Sequence, residues 1–576
     1  MERVRRTPHN KAIGFIKGES IESLSFQDYK RKIEELTLAI IKIGIKEQDK
    51  ICILSNTRAE WNFWDLSVMC SGGVTVPIYH TYNSHEVEYI INHSEAKLVV
   101  VEDLNQFNKI IKNIKHLPHL EFIISIEKLD SGVTSKIPSH IKFHQYEDFY
   151  KIGISELIEN PDLFEIRIKS LHDNNIATII YTSGTTGKPK GALITQGAFV
   201  KMLSNIKKFS NDSLSSSDRS LTFLPLSHVL GRCDSLLNIT FGSQSVYAES
   251  IDKILNNMQL VQPTFMIAVP RIFEKIFERV QRDLDDSSFI KKSLFNWAMD
   301  VCNHYFENIQ NDQTPSSKNI FQYQIARKLV TDKIYNKFGG KIRYFLSGGA
   351  PLSSEIIRFL RNSNLTLIEG YGLTETIAPC VLNTFGKQKI GTVGKPIGDV
   401  EIKFAKDGEI LIRTKAMLTG YYKNLEETKK SIDVDGWFYS GDIGVFDDEG
   451  YLKITDRKKD IIITSGGKNI APQKIEGMFK QHLPIEHCIL IGDKKKYLTA
   501  LISISDNFKN DLKTTEIIEE VVNTVNLKLP QFEKIKKFKI LPVKISTDNY
   551  LTPSLKLKKK AIQNDYIELI NSMYED

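Results

Sequence analysis

Residues 179–195 read IIYTSGTTGKPKGALIT, an apolar run that passes into a loop, 182–191, of three glycines, three threonines, one serine, two lysines and a proline. These residue types together could cradle a polyphosphate. Glycines let backbone N–H groups approach an anion, hydroxyls donate further hydrogen bonds, and lysines supply charge. The segment is not a Walker loop, which separates its two glycines by four residues and ends in Gly-Lys-Ser/Thr. Here Gly184 and Gly187 lie closer together and Lys188 is followed by Pro189. Glycine-rich stretches are also common in plain turns, so the loop by itself leaves that alternative open.

The wider sequence narrows it. YTSGTTGKPKG resembles the signature of the AMP-forming superfamily of acyl-CoA synthetases, peptide-synthetase adenylation domains and luciferases. Further segments follow in that superfamily's order: LPLSHVLGR at 224–232, SGGAPLS at 347–353, EGYGLTET at 369–376, GWFYSGD at 436–442, DRKKDIIITSGGKNIAP at 456–472 and LTPSLKLKKK at 551–560. The resemblance covers essentially the whole chain. LPLSHV, VPRIFEKIFERV at 269–280 and TSGGKNIAPQ at 464–473 are similar to the long-chain fatty acid branch in particular.

That resemblance implies an ATP-dependent ligase that activates a fatty acid of long chain as an acyl-adenylate and passes the acyl group to coenzyme A, with magnesium as the metal. Thr182, Ser183, Gly184, Thr185, Thr186, Gly187, Lys188 and Lys190 are then the phosphate loop. Glu375 is expected to hold magnesium, since oxygen ligands suit that hard cation, with Thr182 as its partner. Tyr371, between Gly370 and Gly372, offers an aromatic face to adenine, and Thr374 a hydroxyl to the α-phosphate. Gly348, Gly349 and Ala350 follow a strand-like IRYFL and are small enough to let backbone lie along a flat base. Asp442 can accept hydrogen bonds from ribose hydroxyls, and Arg457 is placed for ribose or phosphate. Lys556 corresponds to the lysine that bridges carboxylate and phosphate oxygens during adenylation, although Lys558, Lys559 and Lys560 crowd behind it. His228 lines the route to the acyl carboxylate or is a buried structural histidine; both remain open.

Adenylation and thiol transfer approach the same carbonyl from conflicting directions, which relatives resolve by rotating a C-terminal domain. By register the hinge is Lys459, within 457–460. Rotation would withdraw Lys556 and bring Ser465, Gly466, Gly467 and Lys468 toward the pantetheine path.

The elements that must position these residues read as α/β. KICILSN at 50–56 and KLVVVED at 97–103 are strand-like, and AEWNFWDLSVMCSGG at 59–73 is a helix stopped by two glycines. After DRKKD the pattern changes to strands near 488–492 and 498–504, a helix near 515–527 and a basic strand at 535–540. The expected organisation is a large N-terminal adenylation domain of α/β subdomains, residues 1–456, and a small mobile α+β domain, residues 457–576. At 576 residues with 41% apolar content the chain is globular and multidomain. Of the net charge of +7, residues 457–576 carry 21 basic against 15 acidic groups, a bias that suits anionic ligands or simply a solvated lysine-rich face. The six dispersed cysteines read as reduced core thiols. No run approaches the length of a membrane span, so the expectation is a cytosolic protein that at most touches membranes, with small-molecule substrates and no nucleic acid. The oligomeric state is left open. Two departures from the family pattern, Gly231 and Cys380, are expected to reshape the acyl pocket. The alternatives are an acyl-AMP ligase with another acceptor or another acid, and a relative that binds without turnover.

Overall fold

The computed structural model describes residues 2–182, 189–386, 388–466, 468–482, 484–505, 508, 511–546, 549–552 and 557–575. Two large sheets dominate. The first has eight strands in the order Gly420–Tyr421, Lys190–Thr195, Ile176–Thr182, Val74–Ile78, Lys50–Leu54, Leu98–Val101, Phe122–Ser125 and Lys142–Gln145. From Ile176–Thr182 onward its pairings are parallel, and the two strands at the other end are antiparallel. Its central strands, such as Leu98–Val101, are buried along their whole length, as expected where helices cover both faces.

The second sheet has nine strands, with a parallel centre built from Thr366–Tyr371, Tyr344–Ser347, Phe265–Ala268, Arg219–Thr222, Gln244–Tyr247 and Lys11–Lys17. Helix Ala59–Ser71 ends as its sequence demands: Gly72 caps it at φ +81°. Its buried Asp65 pairs with fully buried Arg232 of helix Val229–Phe241, with Nε donating to Oδ2 at 2.7 Å. This pair joins the helix layer of the first sheet to the helix that carries the LPLSHVLGR segment.

A four-stranded antiparallel sheet, Glu401–Phe404, Glu409–Arg413, Phe438–Phe446 and Leu452–Arg457, precedes the change of pattern. Beyond it lie the pair Ile462–Ile463 with Asn469–Ile470, and a three-stranded sheet of Ile485–Ile491, Leu498–Ile504 and Ile535–Ile540. Helices Pro472–Phe479 and Leu512–Leu527 accompany that sheet around its own apolar core, which includes Phe479, Leu498 and Ile518. Among the described residues no helix is long and apolar enough to cross a membrane. All six cysteines are free thiols, five of them buried.

Candidate active site

The ends of Ile176–Thr182, Tyr344–Ser347, Thr366–Tyr371 and Phe438–Phe446 converge on one cavity of about 2580 Å³. That is several times an ordinary small-molecule site. Thr182, Lys190, His228, Gly348, Gly349, Ala350, Gly370, Tyr371, Gly372, Thr374, Glu375, Asp442, Arg457 and Lys459 all line it. Residues separated by up to 277 positions in the chain therefore face one space.

Asp442 is the electrostatic centre of one wall. It is 3% exposed, accepts the Tyr371 hydroxyl on Oδ2 at 2.7 Å, and pairs through Oδ1 with Arg457 Nε at 3.0 Å. Asp442 and Arg457 are cross-strand partners in the antiparallel ladder, so the sheet itself sets their spacing. Burial and the neighbouring Asp442 carboxylate push the Tyr371 hydroxyl well up, so it stays a donor. Cys380, expected to alter the acyl pocket, instead lies behind Tyr371 and is not part of the cavity wall; its Sγ faces the Tyr371 carbonyl at 3.3 Å.

Glu375 sits in a tight turn. Thr376 Oγ1 accepts the Leu373 N–H at 2.9 Å, and Ile377 follows at φ +54°, a left-handed conformation that a β-branched residue rarely adopts. Ile377 is fully buried in the main core, which holds that strained backbone in place. The Tyr421 hydroxyl donates to Glu375 Oε1 at 2.9 Å and the Leu418 N–H to its carbonyl at 2.8 Å. Gly372 is required next to this turn, because a Cβ there would stand 2.9 Å from the Ala378 Cα. Gly349 turns at φ +87° with open space beside it.

His228 is half-buried. It is the N-cap of helix Val229–Phe241, its Nδ1 accepting the Leu230 N–H at 3.2 Å, and it also faces the cavity. Gly231 has a packing reason: a Cβ would meet the Pro225 carbonyl oxygen at 2.4 Å, so helix Val229–Phe241 could not lie this close to the LPLS segment with a larger residue. From His228 the cavity continues along the helix between Phe209, Phe223, Cys233, Leu237 and Ile267.

Lys190 is ion-paired with Glu427. Ser465, Gly466 and Lys468 lie outside the cavity wall. Ser183, Gly184, Thr185, Thr186, Gly187, Lys188, Gly467 and Lys556 fall outside the described residues. Leu551, Thr552, Leu557 and Lys558, which flank 553–556, line the cavity. Sequence reading passed over Tyr421, from the LTGYY segment, and Glu369, the first residue of EGYGLTET. Glu369 lines the cavity and burial pushes its carboxyl up to about 8.

The donor set suits a magnesium ion carried in on phosphates. Among the described residues no three His, Cys, Asp or Glu side chains cluster as a closed metal cage. Magnesium, however, is ordinarily held by one or two protein oxygens together with substrate phosphates and water.

A sequence model of AMP-binding enzymes matches residues 1–422, and one of the AMP-binding enzyme C-terminal domain matches residues 459–576. The chain belongs to the AMP-binding enzyme family. Within it, the long-chain-fatty-acid–CoA ligase FadD15 of Mycobacterium bovis is 32% identical over 563 residues, spanning 94% of this chain and 91% of that protein. Long chain acyl-CoA synthetase 3 of Arabidopsis thaliana is 28% identical over 619 residues, spanning 99% and 90%. Among solved structures, the adenylation domain of the carboxylate reductase of Mycobacterium chelonae superposes with a TM-score of 0.78 at 20% identity, covering 98% of this chain and 89% of that one. The o-succinylbenzoate CoA synthetase of Bacillus subtilis, bound to its acyl-adenylate, has a TM-score of 0.68 at 19% identity, covering 98% and 97%. The likeness of fold thus extends over 98% of the chain.

Proposed function

We propose that this AMP-binding enzyme ligates a long-chain fatty acid to coenzyme A through an acyl-adenylate, releasing AMP and pyrophosphate. One observation carries the proposal. The polar side chains of Asp442, Tyr371, Arg457 and Glu375 line the same cavity as the apolar side chains of Cys233 and Leu237 on helix Val229–Phe241. A cavity of about 2580 Å³ with this apolar lining is larger than a short or aryl acid would fill.

In the first step a fatty carboxylate oxygen attacks the α-phosphorus of ATP and pyrophosphate leaves. Asp442 and Arg457 fix the ribose, Thr374 and Lys556 bind the oxygens at the reacting centre, and Glu375 with Thr182 would hold magnesium, which when bound supplies positive charge to the phosphates. In the second step the coenzyme A thiol attacks the acyl carbonyl and AMP departs. The division we assign is residues 1–456 and 457–576, with the turning point within 457–460, and how Lys458 is held bears on where in that span the turn falls. Its ammonium pairs with Asp407 and Glu409 at 2.7 Å each, and its N–H donates to the Gly441 carbonyl at 2.9 Å. The chain is thus anchored to the first domain through Lys458, which supports a pivot at Lys459. The lysines of the second domain fit the phosphates of coenzyme A.

The test is product analysis with ATP, magnesium and acids of increasing chain length, with and without coenzyme A. Pyrophosphate and AMP, fastest with long chains, are expected. ADP as product would contradict the chemistry, and a preference for aryl or short acids would contradict the long-chain assignment.

A further inference from the structure

Asp456, one residue before Arg457, is a carboxylate at 1% exposure whose two oxygens serve two different segments. Oδ1 accepts the N–H of Arg457 at 2.6 Å, and Oδ2 accepts the N–H of Gln473 at 3.3 Å. Gln473 is the second residue of helix Pro472–Phe479. The N-cap position of that helix holds Ala471, which has no side-chain oxygen, and its first residue is a proline, which has no N–H. The missing acceptor therefore comes from the hinge strand instead of from the helix's own flank. Three residues on, Glu476 is 7% exposed; it accepts the Leu490 N–H on Oε1 at 3.1 Å and holds the Lys559 ammonium at 2.9 and 2.6 Å. Lys559 follows Lys556 by three residues. A second tie across the same boundary joins Arg271, on helix Pro270–Asp285, to Glu486 at 2.5 Å.

We propose that Asp456 is a positioning residue for adenylation: by capping helix Pro472–Phe479 from the hinge strand it sets the described segment that begins at Leu557, through Glu476 and Lys559, relative to the Asp442–Arg457 pair. The inference rests on the reading that the second domain turns at Lys459 between two arrangements. Asp456 lies on the first side of that pivot and Gln473 on the second, so rotation separates them and the cap stabilises the adenylating arrangement alone. Thiol transfer has no use for it.

Single-turnover measurements of each half-reaction test the inference. Asp456→Asn keeps the side-chain volume but can no longer accept from both N–H groups. It is expected to slow acyl-AMP formation from ATP and fatty acid roughly fivefold or more, the typical factor by which losing one helix cap shifts a two-state balance. Conversion of supplied acyl-AMP and coenzyme A to acyl-CoA should stay within about twofold of the wild type, a factor well below the effect of one such cap. Glu476→Gln, which leaves the hinge strand intact, should give the same split, and it decides alone if Asp456→Asn fails to fold. Equal loss of both steps in Glu476→Gln, or no loss in either variant, overturns the role of Asp456 while leaving the chemistry in place. A wild-type protein that makes no acyl-AMP overturns the underlying reading as well.

Discussion

Glu369 is an acid that burial keeps protonated on the wall of the cavity. With its carboxyl pushed up to about 8, it is neutral at pH 7 and gains charge as the pH rises through that value. ATP and a fatty carboxylate are both repelled by a new negative charge beside them, so kcat/KM should fall above pH 8. The fold should also lose stability over the span from the ordinary carboxylate range up to about 8, because the native state holds a proton that the unfolded chain has released. Glu369→Gln removes the titrating group. Its pH–rate profile should extend to higher pH without the alkaline fall, and an unchanged fall would show that another group is responsible. The polar wall itself was legible in the sequence because Asp442, Arg457 and the pair of Tyr371 and Glu375 sit in three distinct motifs. Glu369 and Tyr421 were not, for a physical reason. The behaviour of Glu369 depends on burial, and the hydrogen bond from Tyr421 to Glu375 joins residues 46 apart that only the folded chain brings together.

In the proposed reading, helix Val229–Phe241 is the element that lines the acyl part of the cavity. It is capped by His228 at the polar end and pinned by the buried Arg232–Asp65 pair, while Cys233 and Leu237 form the deeper wall. Leu237→Trp should block the far end of the channel and lower kcat/KM for the longest acids by at least roughly tenfold, a factor worth about 1.4 kcal/mol. Acids short enough to stop before that residue should react as in the wild type, and a uniform loss across chain lengths would count against the channel. A melting curve separates this effect from the overpacking that a larger core residue can cause. Individual elements read well from sequence: the strands expected at 50–56 and 97–103 appear as Lys50–Leu54 and Leu98–Val101, and the basic strand at 535–540 appears with those bounds. Their arrangement did not. The N-terminal strand Lys11–Lys17 pairs in parallel with Gln244–Tyr247, more than two hundred residues away, and nothing in the local pattern of either segment encodes that partner.

At the scale of the whole molecule, the cavity draws its wall from both sides of Lys459, from Thr182 and Asp442 to Thr552 and Lys558. The described contacts, including Arg271 with Glu486, belong to one arrangement of the two parts. Lys459→Pro should resist the second arrangement, because proline fixes φ near about −65° and restricts the residue before it. Acyl-AMP should then accumulate in single-turnover reactions while its transfer to coenzyme A slows. If both steps slow alike, the pivot is not at Lys459. The charge bias of the second domain was plain in the sequence, but its docking depended on contacts such as Asp456 with Gln473 that no motif records.

All of this rests on the formation of a mixed anhydride between the fatty acid and the α-phosphate of ATP, and isotope transfer tests that most directly. A fatty acid labelled with oxygen-18 in its carboxylate is incubated with ATP, magnesium and coenzyme A, and the phosphorus-containing products are examined by mass spectrometry. Attack on the α-phosphorus followed by thiolysis at the carbonyl leaves a carboxylate oxygen on the nucleotide, so AMP should carry one oxygen-18 and pyrophosphate none. Label in inorganic phosphate accompanied by ADP, or AMP without label, would contradict the acyl-adenylate.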